Sequence, residues 1–277
     1  MANPRVIQAI GPVFEVSLYT AITCTAGNLL AHNGTGWVLA DPSTPATLSA
    51  KGVAMDTQST AAGKVRVCRE VLIRDEDSAA YTINARQYLG NTAGSISATA
   101  PSTDGDLIQV VGTALSANEI HVKIKPPRLE YVFLPRDQLD TSSEPGLGAA
   151  DAGWAGANLT GAETAYLSPY RVPDNSIGLV SALLLFDSKN ASAVGVAVTV
   201  VGGYLGASNV GDLGNTIAAA DMVETDGDNQ MLSMDISTCL DAGLFTNGRI
   251  FQVYINSTSI TGDAVFLGGQ IVYLAVD

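Results

Sequence analysis

The chain has 277 residues, of which 47% are apolar and only 15% charged, and its formal net charge is −13. Charged residues usually make up about a quarter of a soluble domain, so this balance excludes a disordered chain and is low for an isolated soluble monomer. The acid surplus argues against a duplex or phosphate-backbone partner, because neutralising phosphates takes clustered Lys and Arg.

The length favours two domains. The 28 glycines and 11 prolines are spread along the chain with β-branched alternation between them, which predicts many short strands and an all-β fold. In chain order, Asn33-Gly34 ahead of Thr35 to Leu39 predicts a hairpin with a type I′ turn. Residues 64–89 read as strand, acidic loop, strand: Lys64-Val65-Arg66-Val67 alternates, and Asp75-Glu76-Asp77 crowds like charges. The apolar run Leu107 to Leu115 and the strand Glu119 to Lys125 flank a hairpin-sized turn at Ser116-Ala117-Asn118. Ile120, Val122 and Ile124 alternate with His121, Lys123 and Lys125, which predicts one buried face and one basic face.

Lys125-Pro126-Pro127 fixes extended backbone and marks a boundary, giving a first domain over residues 1–127. Charge divides at the same place. Residues 1–127 carry nine Lys and Arg against ten Asp and Glu, whereas residues 128–277 carry five against 17. A near-neutral half suits packing on another protein, and a strongly acidic half suits solvent. Residues 128–176, dense in Gly, Ala, Ser, Asp and Pro, read as an extended connector; Trp154, Tyr166 and Tyr170 make it too apolar for a freely solvated one.

Over residues 177–277 we expect a β-sandwich, jelly-roll-like, with strands at Gly178 to Phe186, Ala193 to Tyr204, Met231 to Ile236, Arg249 to Ile255 and Val265 to Val276. The continuous apolar run Leu179 to Phe186 predicts burial on both faces. Asn247-Gly248 supplies a turn. Helical turns fit at Ser237 to Leu244, capped by Ser237 or Thr238, and at Asn215 to Glu224.

Chemistry-bearing residues are sparse. Cys24, Cys68 and Cys239 are an odd number with no C-x-x-C spacing, so free, buried thiols are expected rather than disulfides or zinc. With only His32 and His121, a Ser/His/Asp triad or a multi-histidine metal site has almost no material, and His32 falls in the hairpin turn. Paired carboxylates of the glycosidase kind are available, yet scattered acids follow from the charge alone. The tightest acidic cluster, Asp221, Glu224, Asp226 and Asp228, offers hard oxygen ligands for Ca²⁺ but fits no EF-hand spacing, and a solvated loop is the simpler reading. No glycine pattern of a nucleotide-binding loop occurs. Trp37, Trp154 and the nine tyrosines supply sugar-stacking faces, although core or interface burial is their commoner fate. Sequons begin at Asn33, Asn158, Asn190 and Asn256 and read as chance. We therefore expect no enzyme, and assign no catalytic, cofactor-binding or metal-binding residue. No apolar run reaches the roughly 20 residues that span a bilayer, and Met1-Ala2-Asn3-Pro4-Arg5 does not open a signal peptide, so we expect cytosolic synthesis and no membrane partner.

The stretch Tyr88-Leu89-Gly90-Asn91-Thr92-Ala93-Gly94-Ser95-Ile96, then Thr99-Ala100-Pro101-Ser102 and Gly105 to Ser116, resembles the small β-barrel of tailed-phage head-fibre and capsid-decoration proteins. The resemblance also takes in Trp37-Val38-Leu39-Ala40-Asp41 and Lys51-Gly52-Val53-Ala54, and covers roughly residues 12 to 125. Lys64 to Asp77 departs from it by being more charged. Met234-Asp235-Ile236-Ser237 and Ile271-Val272-Tyr273-Leu274 are similar in pattern to oligomeric virion sandwich domains, without a sharp motif. The resemblance implies a homotrimer that sits on the major capsid protein at the outer surface of a phage head, with no catalytic residues. A tail or baseplate module that reads a host carbohydrate through Trp154 and nearby tyrosines is the alternative.

Overall fold

The computed structural model describes residues 4–19, 22–75, 81–137, 147–149, 155–159, 164–187, 193–204, 215–223, 231–241, 245–261 and 264–277. The protein is all-β, as its alternation predicts, and divides into two compact units. The first comprises residues 1–128 with 174–177 and 275–277; the second comprises 129–173 and 178–274.

Unit 1 contains β1 (Pro4–Ala9), β2 (Val13–Ser17), β3 (Leu29–His32), β4 (Trp37–Leu39), helix α1 (Pro45–Leu48), β5 (Gly52–Ala54), β6 (Lys64–Cys68), β7 (Glu70–Asp75), β8 (Arg86–Leu89), β9 (Ile96–Ser97), β10 (Val110–Ala114) and β11 (Glu119–Lys123). They form a six-stranded sheet in the order β1-β7-β11-β10-β8-β9 and a five-stranded sheet in the order β2-β6-β5-β3-β4. The chain steps between the sheets twice, from β1 to β2 and from β6 to β7. A parallel bridge from Leu18 to Trp37 links the end of β2 to β4 and curls the smaller sheet on itself.

The alternation in β6 explains its placement: Val65 and Val67 are buried, while Lys64 and Arg66 point to solvent. They join Leu18, Cys24, Leu30 and Ala54 in a core against which Phe14, Val16, Trp37 and Leu39 pack. In β11, Ile120 and Val122 are fully buried and Lys123 is exposed, as the pattern predicts. The β10–β11 hairpin closes through Leu115 N–H donating to the Glu119 carbonyl, 2.8 Å. The β3–β4 hairpin is also present, but its loop is Asn33 to Gly36 and not a type I′ turn: only Gly34 of the Asn-Gly pair has positive φ, +96°. The Asn33 side-chain carbonyl instead accepts from the N–H groups of Thr35 and Gly36, each 3.0 Å, making an Asx-type loop.

Unit 2 is built from β12 (Arg128–Asp137), β13 (Leu147–Ala149), β14 (Ala155–Leu159), β15 (Thr164–Leu167), β16 (Tyr170–Arg171), β17 (Ser176–Asp187), β18 (Ala193–Tyr204), β19 (Asn215–Val223), β20 (Met231–Asp235), helix α2 (Ser237–Asp241), β21 (Arg249–Thr261) and β22 (Ala264–Ala275). Their pairing runs β13-β14-β22-β12-β15-β21-β18-β19, with β16 on β21 and β17 on β20 and β22. Phe186, Phe251 and Phe266 are fully buried, and the rings of Phe186 and Phe266 lie 5.2 Å apart.

Four expectations change here. The described stretches of residues 128–176, read from composition as a connector, are the strands β12 to β16; pairing with distant β21 and β22 supplies order that local Gly and Ala content does not reveal. Residues 215–223, where a helical turn fits the Ala-rich sequence, are strand β19, laid antiparallel on β18. The run Leu179 to Phe186 is not buried on both faces: Ala182, Leu184 and Phe186 are, Leu183 and Leu185 are half-buried, and Val180 is exposed. The helical turn α2 is present, but the Ser237 hydroxyl accepts from Ala182 N–H, 2.9 Å, instead of capping it; the Asp235 carboxylate takes Ser237 N–H at 2.8 Å.

Candidate functional site

A cluster of charged residues lies on and beside the polar face of β11. His121 Nε2 and Lys123 Nζ lie 3.0 and 3.2 Å from the same Glu70 oxygen on β7. The Lys123 ammonium, then His121, hold the Glu70 carboxyl below the usual carboxylate range. One residue pair along, Arg74 binds Glu119. Lys125 and Arg128 both bind the Asp277 carboxylate, and they depress its pKa in that order. A small hollow of about 200 Å³ is lined by Thr113, His121, Lys123, Lys125 and Asp277. Each of these cations already has a carboxylate partner, so the cluster ties strands together.

His32, the other histidine, accepts a hydrogen bond from Gly34 N–H on Nδ1, 3.1 Å, and meets the edge of Trp37 with 6.0 Å between ring centres. It is a hairpin residue. Trp37 also packs on Phe14 at 5.9 Å, part of the core border and not a free sugar platform. Tyr166 stacks edge-on against Tyr254 at 4.9 Å, and Tyr170 meets Phe251. Burial, together with the Tyr273 hydroxyl, pushes the Tyr170 phenol above its ordinary value. Trp154 lies outside the described residues, as do Glu224, Asp226 and Asp228 and the side chain of Asp221. Among the described residues no three His, Cys, Asp or Glu come together in a way that could hold a metal ion, and no helix is long and apolar enough to cross a membrane. Cys24, Cys68 and Cys239 are buried thiols outside any disulfide.

A hollow of about 510 Å³ lies in the segment that carries the phage-protein resemblance, with Asn91, Thr92, Ser95, Ser97 and Thr99 among its lining. No titratable side chain lines it, so it offers hydrogen bonds and no acid–base chemistry.

Apolar surface, which the low charge content leads one to expect, is also present. On β12, Tyr131 and Phe133 are 65% and 53% exposed, and Leu129 projects from the same face of the strand. In unit 1, Ile7, Ile10 and Val13 are nearly half exposed along β1 and the start of β2. Exposed large side chains in a row mark interaction surfaces more often than catalytic ones. The period-two spacing Leu129-x-Tyr131-x-Phe133 was available in the sequence, inside a stretch whose composition masks it. The β1–β2 group has no such signal, because its exposure follows from lying at sheet edges.

No family model matches this chain, and no curated protein matches it. Among solved structures it is similar to that of infectious bursal disease virus, Gx strain, at 10% identity, covering 95% of this chain and 70% of that one, with a TM-score of 0.31. The VP2 subviral particle of the same virus gives 11% identity, 99% and 76% coverage and a TM-score of 0.28. Dimeric latent PorU from Porphyromonas gingivalis gives 10% identity and a TM-score of 0.28, and this chain spans 21% of its length.

Proposed function

We propose that this protein is a virion accessory subunit, a capsid decoration or head-fibre protein that binds the outer surface of a phage head. The observation that carries this reading is the large exposed apolar side chains on β1, β2 and β12 of a chain with few charges. Surface of this kind is covered in an assembly and is a liability in a solitary molecule. The residues resembling phage decoration proteins fall in unit 1, the near-neutral part, which seats on the major capsid protein; unit 2 carries most of the −13 charge and faces solvent. Copies associate with one another as well as with the shell, which covers the apolar strand surface. The work is adhesive and mechanical: each contact is modest, and many copies on a shell act together.

Gold-labelled antibody against the protein, applied to intact particles, tests this. Gold over the head is the expected result. Gold confined to the tail tip would replace it with the carbohydrate-reading alternative, and no labelling of particles would remove both.

A further inference from the structure

We propose that β1 and β2 form a two-fold interface with the same strands of a second copy, paired antiparallel so that residues whose numbers sum to 20 lie opposite each other. β1 is the outer strand of the six-stranded sheet and β2 the outer strand of the five-stranded one, and among the described residues each pairs on one side only up to Ser17. An edge of this kind presents unpaired N–H and C=O groups, so the partner it fits is another extended strand.

The identity of that strand follows from the pattern of exposure. From Pro4 to Val16 the residues run half-buried, exposed, half-buried, exposed, exposed, half-buried, exposed at Ile10, and then repeat the same series in reverse. A palindrome is what an isologous contact requires, because the same patch must meet itself. Chemistry follows the same symmetry. With Ile10 on the axis facing its own copy, Ile7 meets Val13, Val6 meets Phe14, and Arg5 meets Glu15 of the opposite charge. Glu15 holds Lys64 at 2.8 Å with both side chains more than half exposed, and a carboxylate accommodates further donors. The irregularities match as well. The register of β1 slips between Val6 and Gln8, and this slip falls opposite Pro12, whose missing N–H costs least where a ladder is already interrupted. Each six-stranded sheet is thereby continued by the five-stranded sheet of the other copy. The inference concerns the isolated protein and needs no shell.

The test is disulfide cross-linking of single-cysteine additions, read on denaturing gels so that any other contact between copies does not interfere; the native thiols are buried. Ile10→Cys is expected to give a covalent dimer on mild oxidation, since facing side chains across the axis come within disulfide reach. Ile7→Cys and Val13→Cys alone are expected to give none, as each lies on the order of 20 Å from its own copy in this register, while a mixture of the two gives a mixed dimer. Adding Arg5→Glu to Ile10→Cys should lower the dimer yield about tenfold by facing like charges twice, and Arg5→Glu with Glu15→Arg should restore it. Circular dichroism checks that each variant is folded. A folded Ile10→Cys protein that does not cross-link, equal cross-linking at residues 7, 10 and 13, or a charge reversal that the double reversal does not rescue would each overturn the proposal.

Discussion

The Gln109 side chain satisfies both backbone groups of Ala50: its Nε2 donates to the Ala50 carbonyl at 3.0 Å and its Oε1 accepts from the Ala50 N–H at 2.8 Å. Both residues are buried, so this pair clamps the loop after α1 in place of a strand ladder. Gln109→Leu keeps the volume and strands two buried backbone groups, for an expected loss of about 2–4 kcal/mol in urea denaturation. A loss under about 0.5 kcal/mol would mean that the loop finds other partners.

Gly112 lies where β10 passes close to β11. A Cβ there would stand 2.4 Å from the His121 carbonyl oxygen, which belongs to backbone that cannot swing aside. Gly112→Ala is therefore expected to cost about 1–3 kcal/mol, whereas Gly178→Ala, which meets nothing within 4 Å, should change stability by less than about 0.5 kcal/mol. Equal effects of the two would contradict this packing.

Acidification should weaken unit 1. Arg66 binds Asp56 bidentately, Nε to Oδ2 at 2.8 Å and Nη2 to Oδ1 at 2.5 Å, and holds its carboxyl below the usual range. A folded pKa below the unfolded value contributes stability above about pH 4, which is lost as pH falls through the folded value. Asp56→Asn should be less stable than the parent at pH 7, by less than about 1 kcal/mol because the pair is exposed, and the gap should close as acidification protonates the folded carboxyl. An unchanged gap at low pH would show that the contact acts by shape and not by charge.

Burial raises the pKa of the Cys24 and Cys239 thiols, and the Cys68 Sγ donates toward the Gly11 and Glu70 carbonyls at 3.3 and 3.2 Å. A thiol-specific disulfide reagent should find none of the three reactive at pH 8 in the native protein and all three in denaturant. Rapid native labelling would indicate opening of the strands that cover them.

Strands whose own alternation sets their burial were legible in the sequence. Ile120, Val122 and Ile124 against Lys123 and Lys125 define β11 without reference to any partner, and Val65 and Val67 do the same for β6. What resisted was set by distant pairing. Ala218, Ala219 and Ala220 suit a helix locally and become β19 only because β18 lies alongside. The hairpin at Asn33-Gly34 was legible but its turn was not, since the asparagine side chain competes with the backbone for the same donors. The exposed edge at Ile7, Ile10 and Val13 could not be read from sequence, because its residues are as apolar as core strands. Only the strand order shows that neighbours lie on one side.

The account rests on apolar strand surface that one molecule leaves uncovered, and the mass of the purified protein in solution tests that most directly. Sedimentation at low micromolar concentration should give a species larger than the 28.6 kDa chain, dissociating on dilution. A single species at 28.6 kDa, unchanged as concentration rises well above that range, would contradict it.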